Sequence, residues 1–257
     1  MSPDKTISII GSGNVGTRLG HALKESGYTI LEVHSTTFEN ASRLAQQLDA
    51  TPIAELEKLS PSADLFLISV SDRAYGSIAH RFPHKDKLIA HTSGSLSIDI
   101  LQSASSSYGS LYPLQTFSKE KTVQMATTPF LVNGKSPEDT AILEEIAHSL
   151  SGQVHRVSDA QKKQLHLAAV FACNFSNHML TIAKDIANQH DIDFTLLHPL
   201  IGETINKALS GDPATSQTGP ASRKDYNIIE DQLKNLDNSP NLQEIYQLVS
   251  ENIIRHP

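Results

Sequence analysis

The stretch "ISIIGSGNVG", residues 7–16, decides how the rest of the chain is read. A short apolar run, Ile7 to Ile10, meets three glycines spaced Gly11-x-Gly13-x-x-Gly16. Alone, such a hexapeptide is an ordinary glycine-rich turn. A strand before it and a helix after it would turn it into a phosphate cradle. Val15–Ser26 supplies the helix pattern: Val15, Leu19, Ala22 and Leu23 share one side, and Gly27 is its stop. The spacing therefore predicts strand, tight turn and helix at the start of a βαβ unit.

Each residue of the turn then has a task. Gly11 permits the turn, Gly13 lets the backbone approach a pyrophosphate, and Gly16 lets the helix lie close to the strand. Free amides at the helix start, with the helix dipole behind them, face the anion. Gly11, Ser12, Gly13, Asn14, Val15 and Gly16 are the expected dinucleotide-binding residues. The choice of dinucleotide falls at the end of the second strand, about 20 residues further on. There the chain reads Glu32-Val33-His34-Ser35-Thr36-Thr37. A strand ending near His34 puts Ser35, Thr36 and Thr37 at the tip, where hydroxyls can donate to a ribose 2′-phosphate and NADP is expected. A strand ending two residues earlier would give Glu32 the ribose 2′-hydroxyl and select NAD. Arg43 reads as too far along the next helix to be assigned.

The pattern of alternating strands and helices continues to about residue 158. Asp64–Val70 is a continuous apolar run that suits a parallel strand covered on both faces. Lys87–His91, Gly109–Tyr112, Phe130–Val132 and Val154–Val157 read as further strands. Glu39–Leu48, Arg73–Phe82 and Glu138–Leu150 read as helices. After Ser158 only helix patterns remain: a long one from Ala160 to about Gln189, then Phe194–Leu209 and Leu242–Ile254. The segment 210–225 reads as a structured loop. This predicts an α/β chain, with a Rossmann-type doubly wound parallel sheet over 1–158 and an all-α domain over 159–257.

Candidate chemistry lies beyond the strand ends. Val70, Ser71 and Asp72 would line the nicotinamide-ribose channel, with Asp72 also able to cap the next helix. His91 and Ser93 of "HTSGS" could assist as acid or base, and Gln115 of "PLQTFS" (113–118) could touch substrate. On the long helix, 100° per residue puts His166, Val170, Cys173 and Asn177 on one face with Asn174 beside it. His166 and Asn174 are the expected catalytic pair, against the alternative of a hydrogen-bonded network between helices. Thr218, Gly219 and Arg223 form the last candidate, with Arg223 suited to a substrate carboxylate. No histidine spacing matches a metal set.

Composition bounds the rest. The 257 residues carry a formal charge of −7, 39% hydrophobic residues and one cysteine. Acidity argues against a nucleic-acid surface, and no apolar run reaches the roughly 18 residues of a membrane span. A single cysteine and the absence of a signal-like N-terminus point to the cytoplasm.

"GSGNVG", "DLFLISVSD" (64–72), "HTSGS" (91–95), "PLQTFS", "HLAAVFACNFSNHML" (166–180) and "TGPASRKD" (218–225) occur in this order. Together they resemble a bacterial family with a Rossmann-like N-terminal domain and an uncharacterised helical C-terminal domain. That family lies near pyrroline-5-carboxylate reductase, prephenate dehydrogenase and the 6-phosphogluconate and 3-hydroxyisobutyrate dehydrogenases. The resemblance implies a helical domain of the 6-phosphogluconate dehydrogenase kind, often buried in a homodimer. The hydroxyacid enzymes carry a catalytic lysine where Val170 stands here, and prephenate dehydrogenases a His-Pro where Tyr112-Pro113 stands. The expected activity is NAD(P)-dependent hydride transfer to a small C=O or C=N substrate, carboxylate-bearing by expectation. The alternatives are a non-catalytic NADP-binding or sensing protein and a structural dimer with a degenerate cradle.

Overall fold

The computed structural model describes residues 5–117 and 124–256; Met1–Asp4 and Ser118, both read above, lie outside them. An eight-stranded sheet runs in the order β3-β2-β1-β4-β5-β6-β7-β8. Its first half comprises β1 (Thr6–Ile10), β2 (Thr29–His34), β3 (Thr51–Ile53) and β4 (Leu65–Ile68). Its second half comprises β5 (Leu88–His91), β6 (Tyr108–Pro113), β7 (Phe130–Gly134) and β8 (Val154–Arg156). β1 to β6 are parallel. β7 runs antiparallel to β6, and β8 follows β7, so the doubly wound sheet carries a reversed edge that the strand pattern does not reveal.

Leu65–Ile68 is buried throughout, as its continuous apolar run requires of a central parallel strand. One face packs Ile7, Ile9, Val33, Leu65 and Leu67 beneath the helices α1 (Asn14–Glu25), α2 (Phe38–Leu48) and α4 (Pro137–Leu150). The other packs Ile10, Phe66, Ile68 and Ile89 beneath α3 (Tyr75–Arg81). α4 starts where its capping box demands: Ser136 Oγ accepts from Asp139 N at 3.0 Å, and Asp139 Oδ2 accepts from Ser136 N at 3.1 Å.

Register aligns the strand ends: Ile10 pairs with His34 and Ile68, His34 with Ile53, and Ile68 with His91. The strand order reverses between β1 and β4, so the crevice where such sheets bind ligands opens beside Gly11 and Ser69.

α5 (Asp159–Ala169) leads into a π-helical segment, Val170–Phe175, and then α6 (Ser176–Gln189). The compact units are residues 1–176 and 177–257. The division therefore falls inside the long helix rather than at Ser158, because α5 is bonded to the sheet. The second unit contains α7 (His198–Ser210), α8 (Pro220–Arg223), α9 (Tyr226–Lys234) and α10 (Pro240–Arg255). α8 corrects the reading of 210–225 as loop throughout, and α9 is a further helix that the sequence reading did not include. β3 is also new, being three residues at an edge. Arg73–Phe82 shortens to one 3₁₀ turn followed by α3. No helix among the described residues is long and apolar enough to cross a membrane.

Candidate functional site

A cleft of about 950 Å³ opens over the carboxyl ends of β1, β2 and β4. Gly11, Ser12, Gly13, Asn14 and Val15 line it. Gly11 has φ +116°, and a Cβ there would stand 2.0 Å from the Ser69 carbonyl oxygen, so only glycine fits. A Cβ on Gly13 would meet nothing within 4 Å, which leaves its backbone open to a ligand. Gly16 is not a lining residue. Its hydrogen side lies against the Gly11 carbonyl, 2.2 Å from where a Cβ would be, which is the close helix–strand contact the motif calls for. α1 has no side-chain cap and no acid in its first turn. Its leading amides are thus free of side-chain acceptors, and the helix end is electropositive.

The β2 side of the cleft carries His34, Ser35 and Thr36, with Asn40 and Arg43 from α2. Ser35 Oγ accepts from Ser12 Oγ at 2.9 Å, tying the glycine turn to the strand tip. Thr37 is the N-cap of α2 and does not line the cleft. Arg43, set aside on sequence distance, does line it, because Asn40, Arg43, Leu44 and Gln47 form one face of α2 that borders the cleft. Glu32 cannot serve the ribose. It is buried, its carboxylate accepts from Ser60 N at 3.0 and 3.2 Å, and Ser8 Oγ donates to it at 3.3 Å. The reading in which Glu32 selects NAD is thereby corrected. Val70, Ser71 and Gln115 line the cleft; Asp72 does not.

Asp72 instead accepts a short hydrogen bond from Ser95 Oγ, which stands 3.1 Å from Ser93 Oγ. Beside this chain, Tyr112 Oη and His166 Nδ1 are 3.0 Å apart with their rings edge to face. Burial pushes the Tyr112 phenol above its ordinary range, and the Asp72 and Cys173 charges add to this. Tyr112 thus stays protonated at neutral pH and can donate. The sequence flagged Tyr112 only as a replacement for histidine; its Tyr-Pro at a strand end was the available signal.

His91 does not join them. It is fully buried, and its Nδ1 accepts from Ser93 N at 3.1 Å. Burial, with the nearby Lys162 charge, pushes its pKa down to about 3. The expectation of an acid or base near neutral pH is corrected: His91 is a neutral imidazole shaping the 93–97 loop. Ser93, also buried, accepts from Ser95 N and Leu96 N. Asn174 is exposed in the π-helical segment. That segment bonds i to i+5, so a face drawn at 100° per residue does not continue past Val170. Thr218, Gly219 and Arg223 belong to the second unit, where Gly219 caps α8 with φ +104° and Arg223 Nε is 3.0 Å from Asp225 Oδ2. No group of three or more histidine, cysteine or acidic residues among the described residues could hold a metal.

Residues 2–115 match the model of a Rossmann-like domain, and residues 128–253 match that of a domain of unknown function, DUF2520. No curated protein matches the sequence. A candidate NADP oxidoreductase from Bacteroides fragilis is 38% identical over 98% of both chains, with a TM-score of 0.90. An imine reductase from Myxococcus stipitatus in complex with NADP+ shares 16% identity over 97% of this chain and 92% of its own, with a TM-score of 0.65. A 1-pyrroline-5-carboxylate reductase from Streptococcus pyogenes shares 14% over 97% and 98%, with a TM-score of 0.63. These last two share the fold. The chain belongs to the family of the Bacteroides fragilis protein, in which a Rossmann-like domain is followed by a DUF2520 domain.

Proposed function

We propose that this protein is an NADP-dependent oxidoreductase acting on a small C=O or C=N substrate. The glycine cradle carries the reading: Gly13 is open to the cleft, the helix amides behind it are free, and Ser35, Thr36 and Arg43 stand where the ribose would lie. These residues fit a dinucleotide bearing a 2′-phosphate, since Arg43 can pair with it, the Ser35 and Thr36 hydroxyls can donate to it, and Glu32 is engaged elsewhere. The 38%-identical relative is described as a candidate NADP oxidoreductase, which supports the same choice.

The reduced cofactor, NADPH, would supply the hydride and leave as NADP+. The chain supplies binding, orientation and a proton. Gly11 to Val15 hold the pyrophosphate, and Val70 and Ser71 flank the nicotinamide-ribose. Tyr112 Oη delivers the proton to the substrate oxygen or nitrogen, and His166 Nδ1 replenishes it across their 3.0 Å contact. Gln115, which lines the cleft, and exposed Asn174 contact substrate, while Ser93 is buried and bonded within its own loop. Arg223 is engaged by Asp225, so a carboxylate on the substrate draws no support from it. Exposed Met179, Leu180, Leu196, Leu200 and Leu209 on the second unit support pairing with a second copy. A cytoplasmic setting belongs to the same reading.

The test is NADPH consumption by the purified protein against a panel of cyclic imines and keto acids. Turnover abolished by Tyr112→Phe supports the reading. Tight NADPH binding with no turnover on either class favours the sensing alternative.

A further inference from the structure

α5 carries Asp159, Lys162 and His166 on one face, at intervals of three and four residues. Beneath it lie His91 of β5, Ser110 and Tyr112 of β6, and Asn133 of β7. His91 pairs with Ser110 and Ser110 with Asn133, so their side chains share one side of the sheet.

Asp159 makes three hydrogen bonds to two separate elements, the 3₁₀ turn that begins at Ser97 and strand β7. Its Oδ2 accepts from Ser97 Oγ at 2.6 Å and from Ile98 N at 2.9 Å, and its Oδ1 accepts from Asn133 Nδ2 at 3.3 Å. Lys162 Nζ stands 3.1 Å from Asp159 Oδ1 with no exposed side-chain surface. That contact is an ion pair without hydrogen-bond alignment, and His91 Nε2 and Ser110 Oγ are likewise buried and unpartnered. One turn further along, His166 meets Tyr112.

Stability does not explain a buried ammonium here, since a buried ion pair is often matched or bettered by apolar residues of similar volume. What the pair does supply is register. Any sliding or rotation of α5 would pull Asp159 from Ser97, Ile98 and Asn133 and carry Lys162 out of its buried position. We propose that the Asp159–Lys162 pair is a positioning element that fixes α5 on the strand ends and so holds His166 against Tyr112. This rests on reading Tyr112–His166 as the proton-delivering pair.

The experiment is Lys162→Met in the full chain. Side-chain NMR of His166 and Tyr112 is followed alongside NADPH affinity and turnover. The expected result is loss of the hydrogen-bonded His166 Nδ1 signal and a Tyr112 titration that falls toward the ordinary phenol value. Turnover should drop about ten- to 100-fold, with NADPH affinity unchanged because the cradle lies on other strands. A folded variant with wild-type His166 and Tyr112 signals overturns the proposal, even if it melts earlier. If Lys162→Met does not fold, Asn133→Ala loosens Asp159 without stranding a charge, and the Asp159→Asn, Lys162→Met double variant removes both charges. The same two signals decide there. Failure of wild-type protein to bind NADPH would instead sink the oxidoreductase reading and leave the NMR result standing.

Discussion

Tyr112 Oη and His166 Nδ1 stand 3.0 Å apart beside Gly94, where only glycine leaves both rings in place. A Cβ there would lie 2.6 Å from Tyr112 Cζ and 2.7 Å from His166 Nδ1. The loop after β5 thus runs against both rings and leaves no room for a side chain at residue 94. Gly94→Ala must push one of them aside. Overpacking of this kind costs about 1–3 kcal/mol, read as a lower midpoint in urea. Turnover should fall further than stability does, while NADPH affinity stays the same. A Gly94→Ala variant with full turnover would separate this contact from catalysis.

Removing the proposed proton donor should affect chemistry and not binding. Tyr112→Phe keeps the ring packing and deletes the hydroxyl, and His166→Ala deletes its partner. Each should lower kcat by about 10²–10⁴-fold, the usual worth of a positioned acid. Calorimetric NADPH affinity should not change. The double variant should lose little more than the worse single one, because the two act as a unit.

Arg43 should discriminate between the cofactors. It lines the cleft beside Ser35 and Thr36. A guanidinium on a phosphate contributes about 1.5–3 kcal/mol, so Arg43→Ala should weaken NADPH by about ten- to 150-fold. NADH, lacking that phosphate, should bind the variant and the wild type alike.

His91 makes stability depend on pH. Its folded pKa of about 3 lies below the ordinary histidine value of 6.5. The unfolded chain therefore takes up a proton that the folded chain refuses. Above about 6.5 the group contributes no pH dependence. Between about 6.5 and 3 it erodes stability by up to about 1.4 kcal/mol per pH unit. Urea unfolding at stepped pH should show that slope, and His91→Gln should flatten it. An unchanged slope in the variant would place the proton elsewhere.

The parts legible in the sequence were those with local causes. GSGNVG specified a turn whose strained Gly11 and open Gly13 follow from steric rules within six residues. The buried run at Leu65–Ile68 identified the central strand by itself. The less legible parts depend on contacts distant in sequence. Glu32 looked available until Ser60 and Ser8 claimed its carboxylate. Arg43 looked remote until one face of α2 proved to border the cleft. His91 looked like a titrating group because nothing in "HTSGS" announces complete burial. The π-helical segment at Val170–Phe175 disturbed a face drawn on regular helix geometry, and no propensity in VFACNF signals it. The complete burial of Lys162 was hidden by the same lack of tertiary information.

Cofactor binding by the purified chain tests the central claim most directly, with NADPH and NADH titrated by calorimetry under one salt condition. The account predicts NADPH binding in about the micromolar range, near 8 kcal/mol, with NADH clearly weaker. Equal affinity for the two would remove the role given to Ser35, Thr36 and Arg43. Binding of neither below about millimolar, roughly 4 kcal/mol, would contradict the account and leave GSGNVG as a turn alone.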